Sequence, residues 1–201
     1  MALSVLAFNC TLKASPKKSS TDKLLREVIE AFKAQDILGE IVRAVDFNIK
    51  PGVTNDEGRG DDWPRLLKKL LAADILVMGT PIWMGQPSSV CKRILERLDA
   101  FFDDTDSHKR MPSYGKVALV AVVGNEDGAH HCSAEIFQSL NDTGFSLPPN
   151  AVTYWVGEAM GDKDYKDFKR SPKVTTDATK MMVSSGIHLA RLLKSRGYPG
   201  V

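Results

Sequence analysis

The chain has 201 residues, of which 43% are hydrophobic and 26% charged, so it is long enough for one domain, residues 1–201, with a substantial core. Its net charge of +2, with basic residues scattered among acids, argues against nucleic acid or an acidic membrane surface as a partner. No apolar run approaches the length of a membrane span, and the first residues lack the pattern of a signal peptide.

Short apolar runs alternate along the chain with segments in which apolar residues recur at helical spacing. The runs are typical of strands buried in a parallel sheet, except the second, whose alternating pattern suits an edge strand. In chain order we predict strand Leu3–Asn9, a helix from about Ser20, strand Glu40–Phe47, helix Trp63–Ala73, strand Asp74–Thr80, helix Ser88–Phe102, strand Lys116–Gly124, helix Ala129–Thr143, strand Asn150–Gly157 and a C-terminal helix over about 176–195.

Capping residues support several of these boundaries. Asp61 or Asp62 can cap the second helix, which has Pro64 in its first turn. Gly144 is a suitable residue just beyond the end of the fourth helix. The segment Glu158–Arg170 is charged, and we favour a solvated connector over a mobile lid.

Five strands in strict alternation with five helices predict right-handed crossovers, a five-stranded parallel sheet and helices on both of its faces. An edge-like second strand favours the strand order 2-1-3-4-5. Ligands of such folds bind at the carboxyl ends of the strands, near the point where the strand order reverses. We therefore expect the site in the loops that follow strands one, three and four.

The loop after the first strand, "FNCTLKASPKKSST", is rich in hydroxyl and ammonium groups and contains no glycine. Loops that cradle a pyrophosphate or triphosphate need glycines, and neither GxGxxG nor GxxxxGK[ST] occurs. Hydroxyls beside a helix N-terminus suit a single terminal phosphate instead. The candidate residues are Thr11, Lys13, Ser15, Lys17, Lys18, Ser19, Ser20 and Thr21. The alternative is a solvated loop with an N-cap serine.

The loop after the third strand, "GTPIWMGQPSS", places Trp83 and Met84 between prolines and glycines. Surface loops rarely present such large apolar groups without a ligand or partner to cover them. A flat apolar wall with free backbone amides suits an isoalloxazine ring, the ring system of flavins. The alternative is that Trp83 packs into the core or a subunit interface.

The loop after the fourth strand, "VGNEDGAHH", is a polar turn bounded by glycines, whose backbone could approach the same ring. Its adjacent histidines point in different directions on a helix, and no second cluster completes a metal site, so we expect no metal. The three cysteines are far apart and lack a zinc-type spacing, which indicates reduced thiols and a cytoplasmic protein.

These segments carry a family resemblance. "NCTLKASPKKSSTDKLL", "VMGTPIWMGQPSSVCKRILERLD", "VVGNEDGAHH" and "YWVG" together resemble flavodoxin-fold NAD(P)H-dependent FMN reductases and related quinone reductases, from Leu3 to about Gly157. The second of these segments is the most specific. The family's phosphate loop reads Gly-Ser-Pro-Arg where this chain has Cys10 to Lys13, which leaves open whether Lys13 or Lys17 replaces the arginine.

The resemblance implies a flavodoxin-like three-layer α/β sandwich with bound FMN and with NADPH or NADH as reductant. It implies hydride transfer through the flavin to a quinone, flavin or similar small-molecule acceptor, with no protein group acting as an essential acid or base. The residues expected at the cofactor are Thr11, Lys13, Ser19, Ser20, Thr21, Pro81, Ile82, Trp83, Met84, Gly85, Gly124, Asn125, Glu126 and Gly128. Family members are commonly oligomers, and we expect a homodimer or homotetramer that uses Trp83, Phe101 and Phe102.

Two other functions suit the same topology. A flavodoxin-type electron carrier would bind FMN without reacting with NADPH, although carriers of this type are expected to be strongly acidic. A flavin-free relative would bind a partner alone. A receiver-type signalling domain is excluded, because Asn9-Cys10 and Gly79-Thr80 stand where it needs acidic residues.

Overall fold

The computed structural model describes residues 2–158 and 161–200, and the alternation of strands and helices is confirmed. The elements are β1 (Ser4–Asn9), α1 (Ser20–Lys33), β2 (Leu38–Arg43), α2 (Trp63–Ala72), β3 (Ile75–Trp83), β4 (Gln86–Pro87), α3 (Ser89–Leu98), β5 (Val117–Gly124), α4 (Ala129–Asp142), β6 (Val152–Val156) and α5 (Lys173–Ser195). Short 3-10 helices lie at Ala44–Asp46, Asp99–Phe102 and Tyr165–Asp167.

The sheet has the order β2-β1-β3-β5-β6, and these five strands are parallel. This is the predicted order 2-1-3-4-5, so the flavodoxin-like α/β class is confirmed. A sixth strand, β4, pairs antiparallel with the end of β3 and was missing from the predicted count of five. It has two residues, too few to leave a periodic pattern in the sequence.

Several predicted boundaries were wrong. β3 runs to Trp83 rather than ending at Thr80. β2 ends at Arg43 rather than Phe47, because its partner β1 ends at Asn9, opposite Arg43, and leaves nothing further to pair with. α3 gives way to a 3-10 helix after Leu98. α5 begins at Lys173, three residues earlier than predicted, directly after Pro172.

Alternate residues of the strands pack into two separate core layers. Phe8 and Val120 contact the layer formed with α2, α3 and α4, whereas Ala7 and Leu119 contact the layer formed with α1 and α5. The close approach of α1 to the sheet depends on Gly79, since a Cβ there would lie 2.5 Å from a methyl carbon of Leu25. The sheet is therefore covered on both faces, which leaves the strand ends for binding.

The predicted subunit interface was wrong for Phe101, which is fully buried within the chain and stacks on Phe145. Phe102 and Trp83 are about half exposed. In the described part of the chain no helix combines the length and apolarity that crossing a bilayer requires.

Part of the predicted connector packs on α1. The Tyr165 ring is buried, and its hydroxyl donates to Glu27. Lys23 Nζ donates to the carbonyl oxygens of Tyr165 at 3.2 Å and Phe168 at 2.6 Å. Residues 159 and 160 of this segment lie outside the described residues. Residues 165–168 are thus held against α1 rather than solvated, and the choice between connector and lid stays a prediction.

Candidate functional site

A cavity of about 180 Å³ lies at the carboxyl edge of the sheet, where the loops after β1, β3 and β5 meet. It is lined by Thr11, Leu12, Lys13, Ser19, Ser20, Thr21, Pro81, Ile82, Trp83, Val123, Gly124, Asn125 and Asp164. A larger hollow of about 440 Å³ lies beside residues 104–115 and the C-terminal segment, near the start of β5. Parallel α/β folds bind ligands at the carboxyl edge, so the smaller cavity is the candidate site.

One wall of the cavity is a hydroxyl cradle, formed by Thr11, Ser19, Ser20, Thr21 and Lys13 at the start of α1. The Ser19 hydroxyl caps the helix by accepting from the amide of Asp22 at 3.0 Å. The first amides of a helix have no partner within it, and they carry the positive end of its dipole. Hydroxyls, helix amides and one ammonium group together form an anion-binding arrangement.

The cradle is braced from the neighbouring strand. At the end of β2, Arg43 Nη1 donates to the carbonyl oxygens of Lys13 at 3.3 Å and Lys17 at 2.8 Å. Arg43 Nη2 lies 2.9 Å from Asp22 Oδ1. Burial alone would raise the pKa of Asp22, but hydrogen bonds and charge from Arg26 and Arg43 lower it, so this carboxylate stays ionised at neutral pH.

The opposite wall is apolar. Pro81, Ile82 and Trp83 at the end of β3 line it, and the Trp83 side chain is about half exposed. Gly124 allows this wall to approach β5, since a Cβ there would lie 2.8 Å from Ile82 Cβ. The result is a narrow slot with a polar end at the cradle and an apolar surface that reaches solvent at the indole.

Ten of the fourteen predicted cofactor residues line the cavity, and four do not: Met84, Gly85, Glu126 and Gly128. Those four join the hairpin of β3 and β4 to the loop after β5. The amide of Met84 donates to Glu126 Oε1 at 2.9 Å, and a Cβ at Gly128 would lie 2.7 Å from Gly85 Cα. Their polar and backbone groups contact one another, and their role at a cofactor stays a prediction.

Three lining residues were not predicted: Leu12, Val123 and Asp164. The first two adjoin predicted residues, whereas Asp164 comes from the connector before α5, far away in sequence. Asn125 Nδ2 donates to Asp164 Oδ1 at 3.4 Å, and Lys166 pairs with the same carboxylate. Of the two candidate lysines, Lys13 lines the cavity.

The two histidines after β5 contact polar and aromatic side chains of the protein. His131 Nε2 lies 3.0 Å from Gln86 Oε1, and the His130 ring packs edge-on against Tyr154. Among residues 2–158 and 161–200, no cluster of three or more His, Cys, Asp or Glu side chains is arranged for metal binding.

The cavity fits a flavin mononucleotide by the chemistry of its donors. The cradle supplies the hydroxyl, amide and ammonium donors of one phosphate site, and the opposite wall offers an apolar surface for an aromatic ring. Ligand sites usually measure about 300–1,000 Å³, so this cavity encloses only part of such a molecule.

Comparisons with known proteins agree with this arrangement. Residues 3–161 match the NADPH-dependent FMN reductase family. The FMN-dependent NADPH-azoreductase of Staphylococcus aureus is 30% identical over 118 residues, which cover 55% of each chain.

Two similarities extend over nearly the whole chain. The 8-demethyl-8-aminoriboflavin-5'-phosphate synthase of Streptomyces davaonensis is 36% identical over 98% of this chain and 81% of its own length. A crystal structure of RosB with bound 8-demethyl-8-formylriboflavin-5'-phosphate aligns with a TM-score of 0.89 at 35% identity, covering 98% of this chain and 82% of RosB.

Proposed function

The chain belongs to the family of NADPH-dependent FMN reductases, with FMN as cofactor and NADPH as reductant, and from that premise we propose its reaction. The enzyme transfers a hydride from NAD(P)H through bound FMN to a small acceptor such as a quinone or another flavin. The observation that carries this proposal is the hydroxyl cradle at the start of α1, which opens onto the apolar wall at Trp83.

The cradle binds and orients the phosphate group of the cofactor. Thr11, Ser20 and Thr21 donate hydroxyl hydrogen bonds, the first amides of α1 add backbone donors, and Lys13 supplies charge. Arg43 fixes the loop before a ligand arrives, which lowers the entropy cost of binding.

The apolar wall orients the ring. Pro81 and Ile82 exclude water from one side, and Asn125 offers an amide to the polar edge of a ring. The exposed half of Trp83 leaves the outer side of the slot open, so that a small acceptor can approach in turn with NADPH. We assign no protein acid or base to the reaction.

The test is a visible absorption spectrum of the purified protein, recorded without oxygen before and after addition of FMN and then NADPH. We expect flavin bands that bleach on addition of NADPH. Bands that persist would indicate an electron carrier instead. If the spectrum of the added FMN stayed that of free FMN, the assignment of a flavin site would be wrong. Met181→Ala is the matched control, because it truncates an exposed methionine of α5 outside the cavity and should bleach like the wild type.

A second candidate function is chemical modification of the flavin itself. It is favoured by the similarity over 98% of the chain to a synthase that makes an aminoriboflavin phosphate, and to RosB with a formyl derivative bound. The mass of the flavin recovered from the purified protein distinguishes the two: a reductase returns FMN, whereas a modifying enzyme returns a flavin of altered mass.

We place the protein in the cytoplasm as a homodimer or homotetramer without a nucleic-acid or membrane partner. The three cysteines are buried and unpaired, which suits a reducing compartment. The exposed side chains of Met84 and Phe102 are apolar groups that a second subunit could cover. Light scattering tests the assembly, and a monomer at micromolar concentration would contradict it.

A further inference from the structure

Asp164 differs in chemistry from everything else that lines the cavity. The other described lining residues present hydroxyl, ammonium, amide or apolar groups, and Asp164 is the one carboxylate among them. Its side chain is about one third exposed, so it is neither sealed off nor freely solvated. An ionised carboxylate accepts hydrogen bonds and cannot donate them.

The carboxylate is fixed in place by its neighbours on both sides. Lys166 pairs with it directly, while Tyr165 and Phe168 are tied to α1 through Lys23. The amide of Lys166 also donates to the Ser20 hydroxyl at 3.3 Å, which links this segment to the cradle. The Asp164 side chain also accepts from the backbone amide of Asp167 in a capping box. Across the cavity mouth, Asn125 Nδ2 reaches Asp164 Oδ1 at a long 3.4 Å. This oxygen therefore retains capacity to accept from a ligand.

The position of Asp164 determines which part of a bound flavin its carboxylate can contact. A dianionic phosphate would be repelled by a carboxylate, and the donors for phosphate lie in the cradle. Asp164 connects the cradle, through Lys166 and Ser20, with Asn125 on the opposite loop. A flavin mononucleotide carries a chain of hydroxyl groups between its phosphate and its ring, and those hydroxyls are donors that a carboxylate can accept.

We propose that Asp164 binds the ribityl hydroxyls of the flavin and so selects flavins that carry the polyol chain. This inference rests on the proposed flavin site. It adds a specificity-determining residue from outside the segment that matches the family, which ends at residue 161.

The test compares three ligands by flavin fluorescence titration: FMN, riboflavin, which lacks the phosphate, and lumiflavin, which lacks the whole chain. Asp164→Ala should raise the Kd of FMN and of riboflavin by the same factor, about tenfold or more, and leave that of lumiflavin unchanged. Asp164→Asn keeps an acceptor oxygen and should give a smaller loss. Unchanged circular dichroism and Tm in this isosteric variant establish that the fold is intact.

Asp162→Ala is the matched control, because it removes a carboxylate of the same segment that does not line the cavity. Its Kd values should equal those of the wild type. An equal loss for all three ligands, a loss confined to FMN, no loss in Asp164→Ala, or the same loss in Asp162→Ala would each overturn the proposal. Failure of the wild type to bind any of the flavins would instead overturn the proposed function.

Discussion

Arg43 donates to the carbonyl oxygen of Lys17 at 2.8 Å, so the last residue of an edge strand fixes the loop that forms the hydroxyl cradle. The guanidinium side chain is only 11% exposed, and it also pairs with Asp22 in the first turn of α1. One side chain thus joins β2, the cradle loop and the helix whose amides face the cavity. The geometry of the hydroxyl cradle therefore depends on a residue that does not line the cavity.

We expect Arg43→Met to raise the Kd for FMN about tenfold, because the cradle loop loses two hydrogen bonds and must be ordered by the ligand instead. Riboflavin should lose little affinity, since it makes no phosphate contact. Fluorescence titration with both ligands measures the difference. Arg26→Ala is the control: Arg26 also pairs with Asp22, but it is exposed and contacts no part of the loop. Equal effects of the two variants would contradict a bracing role.

Substitutions in the two walls of the cavity should have different effects on the binding of FMN and riboflavin. Thr11→Ala removes a cradle hydroxyl and should raise the Kd of FMN several-fold while leaving that of riboflavin unchanged. Trp83→Ala removes apolar surface from the ring side and should weaken both ligands by similar factors. Unchanged affinity for FMN in both variants would remove these assignments.

The sheet could be predicted because each parallel strand is an apolar run, and the loop chemistry followed from where those runs end. Thr11, Thr21 and Trp83, which line the cavity, were predicted in this way, each within or at most three residues from a predicted strand or helix. Local patterns carry no such signal for Asp164, which meets Asn125 39 residues away and lies in a charged segment typical of a connector.

Four of the predicted residues lie outside the cavity, and the sequence pattern did not indicate this. Met84, Gly85, Glu126 and Gly128 occur in the right loops, and their types suit a ring-binding turn. Which polar group faces the ligand and which faces the next loop depends on backbone angles, such as the positive φ of 52° at Met84 and 74° at Gly85. Those angles follow from the pairing of β3 with β4, which the sequence pattern did not reveal.

Gly128→Ala should destabilise the protein and disturb the hairpin that presents Trp83. The added Cβ would lie 2.7 Å from Gly85 Cα, a backbone atom that cannot move without shifting the hairpin, and the φ of 120° is unfavourable for alanine. We expect a loss of about 2–4 kcal/mol in the free energy of unfolding, measured in urea. Gly60→Ala is the control, because φ is 87° there with no atom within 4 Å. It should cost about 1 kcal/mol, from φ alone. Equal losses would show that the loop contact is unimportant.

The loop before α2 depends on a buried ion pair. Arg97 Nη1 lies 2.8 Å from Asp61 Oδ2, and neither side chain is exposed. Arg97 also donates to the carbonyl oxygens of Thr54 and Lys50. Although burial alone would raise the pKa of Asp61, hydrogen bonds from the Glu57 amide and other neighbours, Arg97 among them, lower it to about 2. Asp61 or Asp62 was predicted only as a helix cap, and Asp61 accepts from the Trp63 amide at 3.1 Å.

This pair predicts a specific dependence of stability on pH. Since the folded pKa of Asp61, about 2, lies below its ordinary value of 3.8, the carboxylate stabilises the fold fully above about pH 4. That contribution is lost as the pH falls from about 4 to about 2. Asp61→Asn should lower the free energy of unfolding at pH 7 by about 3–5 kcal/mol, because Arg97 then keeps a buried charge without a counterion. Urea titrations at pH 7 and below pH 4 should show that the difference in free energy of unfolding between the variant and the wild type becomes smaller as the pH falls. The control is Glu30→Gln, whose carboxylate lies 3.9 Å from Lys33 Nζ at the surface and should matter little. A difference that stays constant with pH, or one equal to that of the control, would contradict the role of the buried pair.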